Sequence, residues 1–341
     1  MLSRTADHLF WMARYTERAE NTARMLDVNY QASMLPQSPE VAQQGWLAML
    51  DVTELTPVFA AHHGAVVHEE VIDFMVRDLS HPASIMSCLR AARENARAVR
   101  GALTTPLWET INTTWLDVQQ MVVDGILRHD PARFFEWVKF RSHLTRGVEA
   151  GTMLKDEAYC FMRLGTFLER ADNTARILDV KFQATDLSQQ QDDFYQWAAV
   201  LRSVSGLEMY RKVYRSVVTP ERVAELLIVH PDMPRSLAAS LREVISLLAQ
   251  VRNARSVETE RRAGKLHAEL KFTRIEDIFS VGIHGWLSDF LRRIHELGGG
   301  VSRDFLMKGG RGRGGLQDQL QLQLQLQLQL QLQNQLQLQL T

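Results

Sequence analysis

Cysteine is nearly absent: Cys88 and Cys160 are the only two among 341 residues. A single pair cannot build a disulfide framework, so the fold has to rest on a packed core in a reducing compartment. Neither sign of charge is in excess, since 39 Lys and Arg stand against 40 Asp and Glu for a formal net charge of −1. That removes the basic footprint of a nucleic-acid binder or of a protein drawn to an anionic membrane surface. No window approaches the roughly 18 uninterrupted apolar residues that a membrane-spanning helix needs. The opening residues, Met1-Leu-Ser-Arg-Thr-Ala-Asp-His8, place charges where a secretory leader would need its apolar stretch. Strand signals are scarce too, because β-branched runs such as Val66-Val67 lack flanking hairpin turns. The chain therefore reads as a cytoplasmic protein with no nucleic-acid or membrane partner. Its length allows two ordinary domains or one large one.

What is present is helical periodicity. Over 4–33, Leu9, Met12, Tyr15, Ala19, Ala23, Leu26 and Tyr30 recur at spacings of three and four, which makes one apolar stripe. The windows 69–79, 83–101, 107–128, 131–147, 193–214, 220–229, 234–252 and 274–297 also favour helix. His81-Pro82, Asp130-Pro131 and Thr219-Pro220 read as helix starts, with Pro in the first turn where its missing N–H costs nothing. The expected class is all-α, a helical bundle.

Within that bundle one segment occurs twice. Residues 17–32 read ERAENTARMLDVNYQA and residues 169–184 read ERADNTARILDVKFQA, twelve of sixteen positions being identical at an offset of 152. The apolar stripe recurs at that offset as Phe161, Leu164, Phe167, Ala171, Ala175, Leu178 and Phe182. Val71/Val223, Pro82/Pro234, Ser84/Ser236, Leu89/Leu241 and Arg90/Arg242 match at it as well. Each copy is followed by a polar, breaker-rich segment, Pro36–Pro39 in the first and Asp186–Asp193 in the second. Two tandem, pseudo-symmetric repeats are expected, 1–155 and 156–306. From 307 to 341 a Gly/Arg hinge leads into alternating Gln and Leu, a low-complexity tail that cannot specify a packed core and is expected to be disordered.

On a helical wheel Glu17, Asn21, Arg24, Val28 and Gln31 share one narrow face, opposite Ala19, Ala23 and Leu26. The second copy supplies Glu169, Asn173, Arg176, Val180 and Gln183. An ordinary solvated face tolerates drift, whereas these residues are the same in both halves. Two explanations fit. The face is buried, the duplicated helices meet, and each Glu answers an Arg, because buried charges need partners. Or Arg18, Arg24, Arg170 and Arg176 bind a carboxylate or phosphate, with the amides completing the site. A second basic ridge, Arg90, Arg93, Arg97 and Arg100, is either solvated or anion-facing.

Other signals are weaker. No Glu has a His three residues on, as four-helix di-iron sites require, although carboxylates alone could hold a hard cation such as Mg²⁺. His62, His63 and His68 fit no zinc spacing and read as a solvated loop. Cys160 reads as a small core residue. Gly310-Arg-Gly-Arg-Gly-Gly315 satisfies a dinucleotide fingerprint only in letters, with no strand before it. Neither a cofactor nor a metal site is read from the chain.

The Glu-Arg-Ala-Glu-Asn-Thr-Ala-Arg segment at 17–24 resembles the bacterial alpha-E family, a helical domain named for its Glu-Arg motif. So do the Arg-rich run at 90–97, the segment 169–180 and the stretch 266–298, in order along residues 1–306. The Gln-Leu tail departs from the family pattern. The resemblance implies motif pairs at Glu17-Arg18 and Glu169-Arg170. It also implies two partners, a circularly permuted ATP-grasp ligase and a transglutaminase-like protein, whose genes typically neighbour the family's. The chain would then be an accessory in peptide or amide-bond modification, not catalytic alone, binding an anionic or peptide ligand or the ligase through the duplicated face. A stand-alone enzyme with Glu17 or Glu169 as acid/base and a purely structural scaffold stay open beside it.

Overall fold

In the computed structural model, which describes residues 1–36, 38–64, 66–184 and 194–306, the periodicity becomes sixteen α-helices, with no strand among the described residues. They are α1 (Ser3–Ser33), α2 (Pro39–Val52), α3 (Thr56–His62), α4 (His68–Arg77), α5 (Ile85–Ala98), α6 (Thr105–Val123), α7 (Ile126–His129) and α8 (Pro131–Thr152). There follow α9 (Glu157–Ala184), α10 (Phe194–Ser203), α11 (Leu207–Tyr214), α12 (Pro220–Ile228), α13 (Leu237–Gln250), α14 (Val257–Phe272), α15 (Ile275–Val281) and α16 (Ile283–Phe305). The expected linker at Asp186–Asp193 and the 307–341 tail lie outside the described residues. Among the described residues no helix is long and apolar enough to cross a membrane.

Residues Met1–Leu306 form one unit organised around α1 and α9, which pack on each other. Helices α5 and α8 flank α1, while α13 and α16 flank α9; α6 lies over α5 and α8, and α14 over α13 and α16. Several bounds keep the 152-residue offset of the sequence: Ile85–Ala98 against Leu237–Gln250, His68 against Pro220, and Pro131 against Ile283 at the starts of their helices. The N-caps match as well. Ser84 accepts from Ser87 N–H at 3.1 Å and Ser236 from Ala239 N–H at 2.9 Å, each satisfying one otherwise orphan donor of the first turn.

Both central helices are sunk in the core. Leu9, Phe10, Ala23 and Leu26 of α1 are fully buried, as are Leu164, Ala171, Ala175 and Leu178 of α9. Their close approach needs a missing side chain at Gly165, where a Cβ would stand 2.3 Å from the Phe10 carbonyl oxygen. Only glycine permits that contact.

Local differences from the sequence expectation have simple causes. The end of the expected Pro36–Pro39 breaker segment launches a helix, because the Ser38 hydroxyl accepts from Val41 N–H at 3.4 Å and Pro39 occupies the first turn of α2. Asp130 and Thr219 cap α8 and α12 as expected, but His81-Pro82 does not start a helix. It lies in a turn in which buried His81 meets the Phe74 carbonyl at 2.9 Å, and α5 begins at Ile85. The 193–214 window splits at Ser205, which has φ 51°, and 274–297 splits at Gly282, φ 94°. Helix α14 has no counterpart in the sequence expectation, since its buried face is only Thr259, Ala263, Leu266 and Leu270.

Candidate functional site

The polar face of the repeated segment is buried rather than solvated. Glu17 is 1% exposed, Glu20 0%, Asn21 2% and Arg24 3%. At the crossing of α1 and α9 the two Glu-Arg dipeptides pair crosswise. Arg170 donates to both Glu17 oxygens, from Nε at 3.0 Å and Nη2 at 3.1 Å. Arg18 donates to both Glu169 oxygens, from Nε at 2.5 Å and Nη2 at 3.0 Å. Each is a two-point fork, the strongest geometry a guanidinium and a carboxylate can make.

Further cations close on the same carboxylates. Glu17 also accepts from Arg146 at 2.9 Å and from Arg235 at 2.7 Å, and Glu169 accepts from Arg14 Nε at 2.7 Å. Burial alone would push the Glu17 carboxyl up, but Arg170, Arg235 and Arg146 outweigh it and hold Glu17 well below the usual carboxylate range. Glu169 is lowered in the same way, with Arg18 and then Arg14 overcoming its burial. Both motif carboxylates are thus ionised at neutral pH and fully engaged.

One turn further along α1, Glu20 pairs with Arg24, accepts from Arg235 Nη2 at 2.7 Å and Ser142 at 2.8 Å, and faces Arg146 at 2.5 Å and His143 at 3.3 Å. The Asn21 carbonyl accepts from Arg24 at 3.3 Å and Arg235 at 3.1 Å. Burial first, then Arg146, Arg24 and Arg235, depress the His143 imidazole to about 4, so it is neutral at physiological pH. Glu149, on α8 near Arg146, is 3% exposed with one oxygen that has no partner among the described residues; burial pushes it up to about 7 against the pull of Arg163 and Arg146.

The second copy is arranged alike but charged differently. Arg176 pairs with Glu54, donates to Asp172 at 2.8 Å and meets His295 at 3.1 Å. His295 reaches Asp172 at 2.9 Å. Burial would raise Asp172, but Arg176 and His295 pull it well below its usual range.

The structure therefore brings Glu17, Asn21, Arg24 and Arg170 into one network through Arg235 and Glu20, and pairs Arg18 with Glu169 in a second cluster at the same helix crossing. Arg176 and the half-buried Asn173 lie further along α9. Gln31 and Gln183 are exposed near the helix ends, where Gln31 donates to Asp27 at 2.9 Å. The α5 ridge does not join: Arg90 is exposed, Arg93 donates to Asn112 at 3.1 Å and to Glu94 at 2.6 Å, and Arg97 donates to Glu94 at 3.0 Å. Of the histidine cluster, His63 is not a free loop residue but stacks on Phe59 at 4.4 Å and faces Glu70 at 3.2 Å. Cys160 is buried, as expected of a small core residue.

Sequence reasoning overlooked Arg146, Arg235, His143 and His295. Arg146 and Arg235 align at the 152 offset with Gly298 and Ala83, so repetition gives no signal for them. His143 and His295 do stand at that offset and were findable. Among the described residues, no group of three or more His, Cys, Asp or Glu is placed to hold a metal ion.

Curated relatives include uncharacterised proteins of Mycobacterium bovis and Mycobacterium tuberculosis. Each is 22% identical over 316 residues, covering 86% of this chain and 35% of the relative. The chain thus spans about a third of the length of the curated relatives it matches. No solved structure matches it. Residues 1–306 match the family model described as "a predicted alpha-helical domain with a conserved ER motif". With that match over most of its length, the chain belongs to the Alpha-E family.

Proposed function

We propose that this chain is a helical accessory module, not catalytic alone, of a cytoplasmic ATP-grasp and transglutaminase-like system that modifies peptides or amide bonds. In this reading it is made of two pseudo-symmetric repeats, 1–155 and 156–306, followed by the 307–341 hinge and tail. It binds an anionic or peptide ligand, or the ligase itself, at the network around the duplicated face. The observation that carries it is the consumption of both motif carboxylates as counter-ions: Glu17 faces Arg146, Arg170 and Arg235, and Glu169 faces Arg14 and Arg18. A carboxylate held ionised by that many guanidiniums is a poor proton donor and acceptor near neutral pH, which speaks against a stand-alone acid/base enzyme. The shared helix offsets support the repeats. A region that makes up 35% of each longer relative supports a module working beside other domains. The two partners come from the family resemblance.

The test is co-expression of the tagged chain with the neighbouring ATP-grasp ligase, followed by assays with ATP and amino acids. Co-purification, with product formed only when the ligase is present, is the expected result. Product from the chain alone would establish the enzyme reading instead, and the absence of both capture and product would leave a scaffold.

A further inference from the structure

We infer that the corner between α1, α8 and the entry to α13, lined by Asn21, Arg24, His143, Arg146 and Arg235, is a binding site for a phosphate group. It belongs to the first copy of the motif and has no equivalent in the second. The inference rests on the module reading, because it names the class of ligand the module would hold.

The charge balance points there. Four guanidiniums, Arg24, Arg146, Arg170 and Arg235, surround two carboxylates, Glu17 and Glu20. Guanidiniums keep their protons in proteins, so the corner carries a positive surplus that the neutral His143 does not increase. Glu149 lies near enough to offset part of it when ionised. Hydrogen bonding points there as well. Arg24 Nε and Asn21 Nδ2 are buried and lack an acceptor among the described residues, Arg24 being 3% and Asn21 2% exposed. Both orphaned atoms are donors, so the group that completes them is an acceptor. A buried donor left unmet is destabilising, and an oxyanion lying against both would relieve that.

The directions of approach select a phosphate. Arg24 comes from α1, Arg146 from α8 and Arg235 from the turn before α13, three elements with separate orientations. Glu17 and Glu20 already take donors from several of these elements, and a tetrahedral phosphate, with its four oxygens, can accept from all three sides at once while those carboxylates keep their own pairs. The approach lies beside His143, the most exposed of these side chains at 59%. In the second copy Glu54 and Asp172 already outnumber Arg176, and neither Asn173 nor Arg176 has a buried orphan donor.

The experiment titrates inorganic phosphate into the full chain at constant ionic strength, with chloride replaced as phosphate is added, and follows calorimetric heat and melting temperature. Saturable phosphate binding with a rise in Tm is expected. His143→Glu, which sets a carboxylate at the mouth, should weaken it by roughly tenfold or more, while His295→Glu at the matching position should not. Asn21→Asp provides a second variant that introduces the negative charge inside the corner and should also abolish the phosphate-dependent shift. A wild-type chain indifferent to phosphate, or equal weakening by His143→Glu and His295→Glu, would overturn the site. Ligase captured by a chain that ignores phosphate would sink the site and spare the module, and phosphate binding without ligase capture would do the reverse.

Discussion

The Glu17 carboxylate accepts both forks of the Arg170 guanidinium, at 3.0 and 3.1 Å, from a helix whose own motif glutamate receives Arg18 from the opposite side. Removing one partner of such a pair leaves the other charged and buried. Glu17→Gln is therefore expected to lower stability by about 3–5 kcal/mol, because it leaves Arg170 without a carboxylate and takes from Arg146 and Arg235 one of the two they share with Glu20. Arg18→Gln should cost less, since Arg18 keeps 21% exposure and can reach solvent. Urea denaturation of both variants checks the ordering. A double cycle of Glu17→Gln with Arg170→Gln should show coupling above about 1 kcal/mol.

Acid should act on the same carboxylates. Glu17, Glu169 and Asp172 all have folded-state values below those of the free side chains, 4.5 for Glu and 3.8 for Asp. Their contribution is complete above those values and disappears as pH falls through the lower, folded ones, when the native state must take up protons. The part of the stability that these three groups supply should hold from pH 7 down to about pH 5 and then fall away, a loss read as a drop in stability below pH 5. Glu169→Gln, already destabilised at pH 7, should show a shallower drop.

Glu149 carries the opposite sign. Its folded value of about 7 exceeds the unfolded 4.5, so the native state holds the extra proton between those limits and loses stability as pH rises through them. Glu149→Gln keeps the shape without the charge. It should match the wild type near pH 5 and exceed it at pH 8, by at most about 3 kcal/mol. Paired melts at the two pH values read this out, and an equal gap at both would refute the assignment.

Gly165 provides a packing test. Gly165→Ala drives a methyl against the Phe10 carbonyl oxygen and forces α1 and α9 apart, at a cost of about 2 kcal/mol or more. Gly147→Ala, on the exposed side of α8 with nothing within 4 Å of the added carbon, should instead stabilise by roughly 0.5–1 kcal/mol. Opposite signs in thermal unfolding are the expected outcome.

The sequence made the long helices readable because their apolar residues recur with a strict period, as in Leu9 to Leu26, and because Asp130 and Thr219 announce helix starts. It hid α14, where one buried Thr and three apolar residues carry the face, and α2, whose start looks like a breaker run until Ser38 is seen capping it. The repeated motif pointed to Glu17, Arg18, Glu169 and Arg170 because repetition marks residues that cannot drift independently. Arg146 and Arg235 stayed invisible, since they reach Glu17 across 129 and 218 residues of chain and no local pattern records such a contact.

The crosswise pairing has a bearing on ancestry. Each motif carries a glutamate and an arginine whose partners lie on the other helix, so one copy alone presents a patch complementary to itself. Two identical copies would close on one another about a twofold axis as an isologous dimer, each supplying the counter-charge the other lacks. A fused chain would hold that partner permanently at hand, at any concentration, and would leave each half free to change the charges around its own motif. Glu54 beside Arg176 and Arg235 beside Glu17 are charges that only one of the two motifs has at its side.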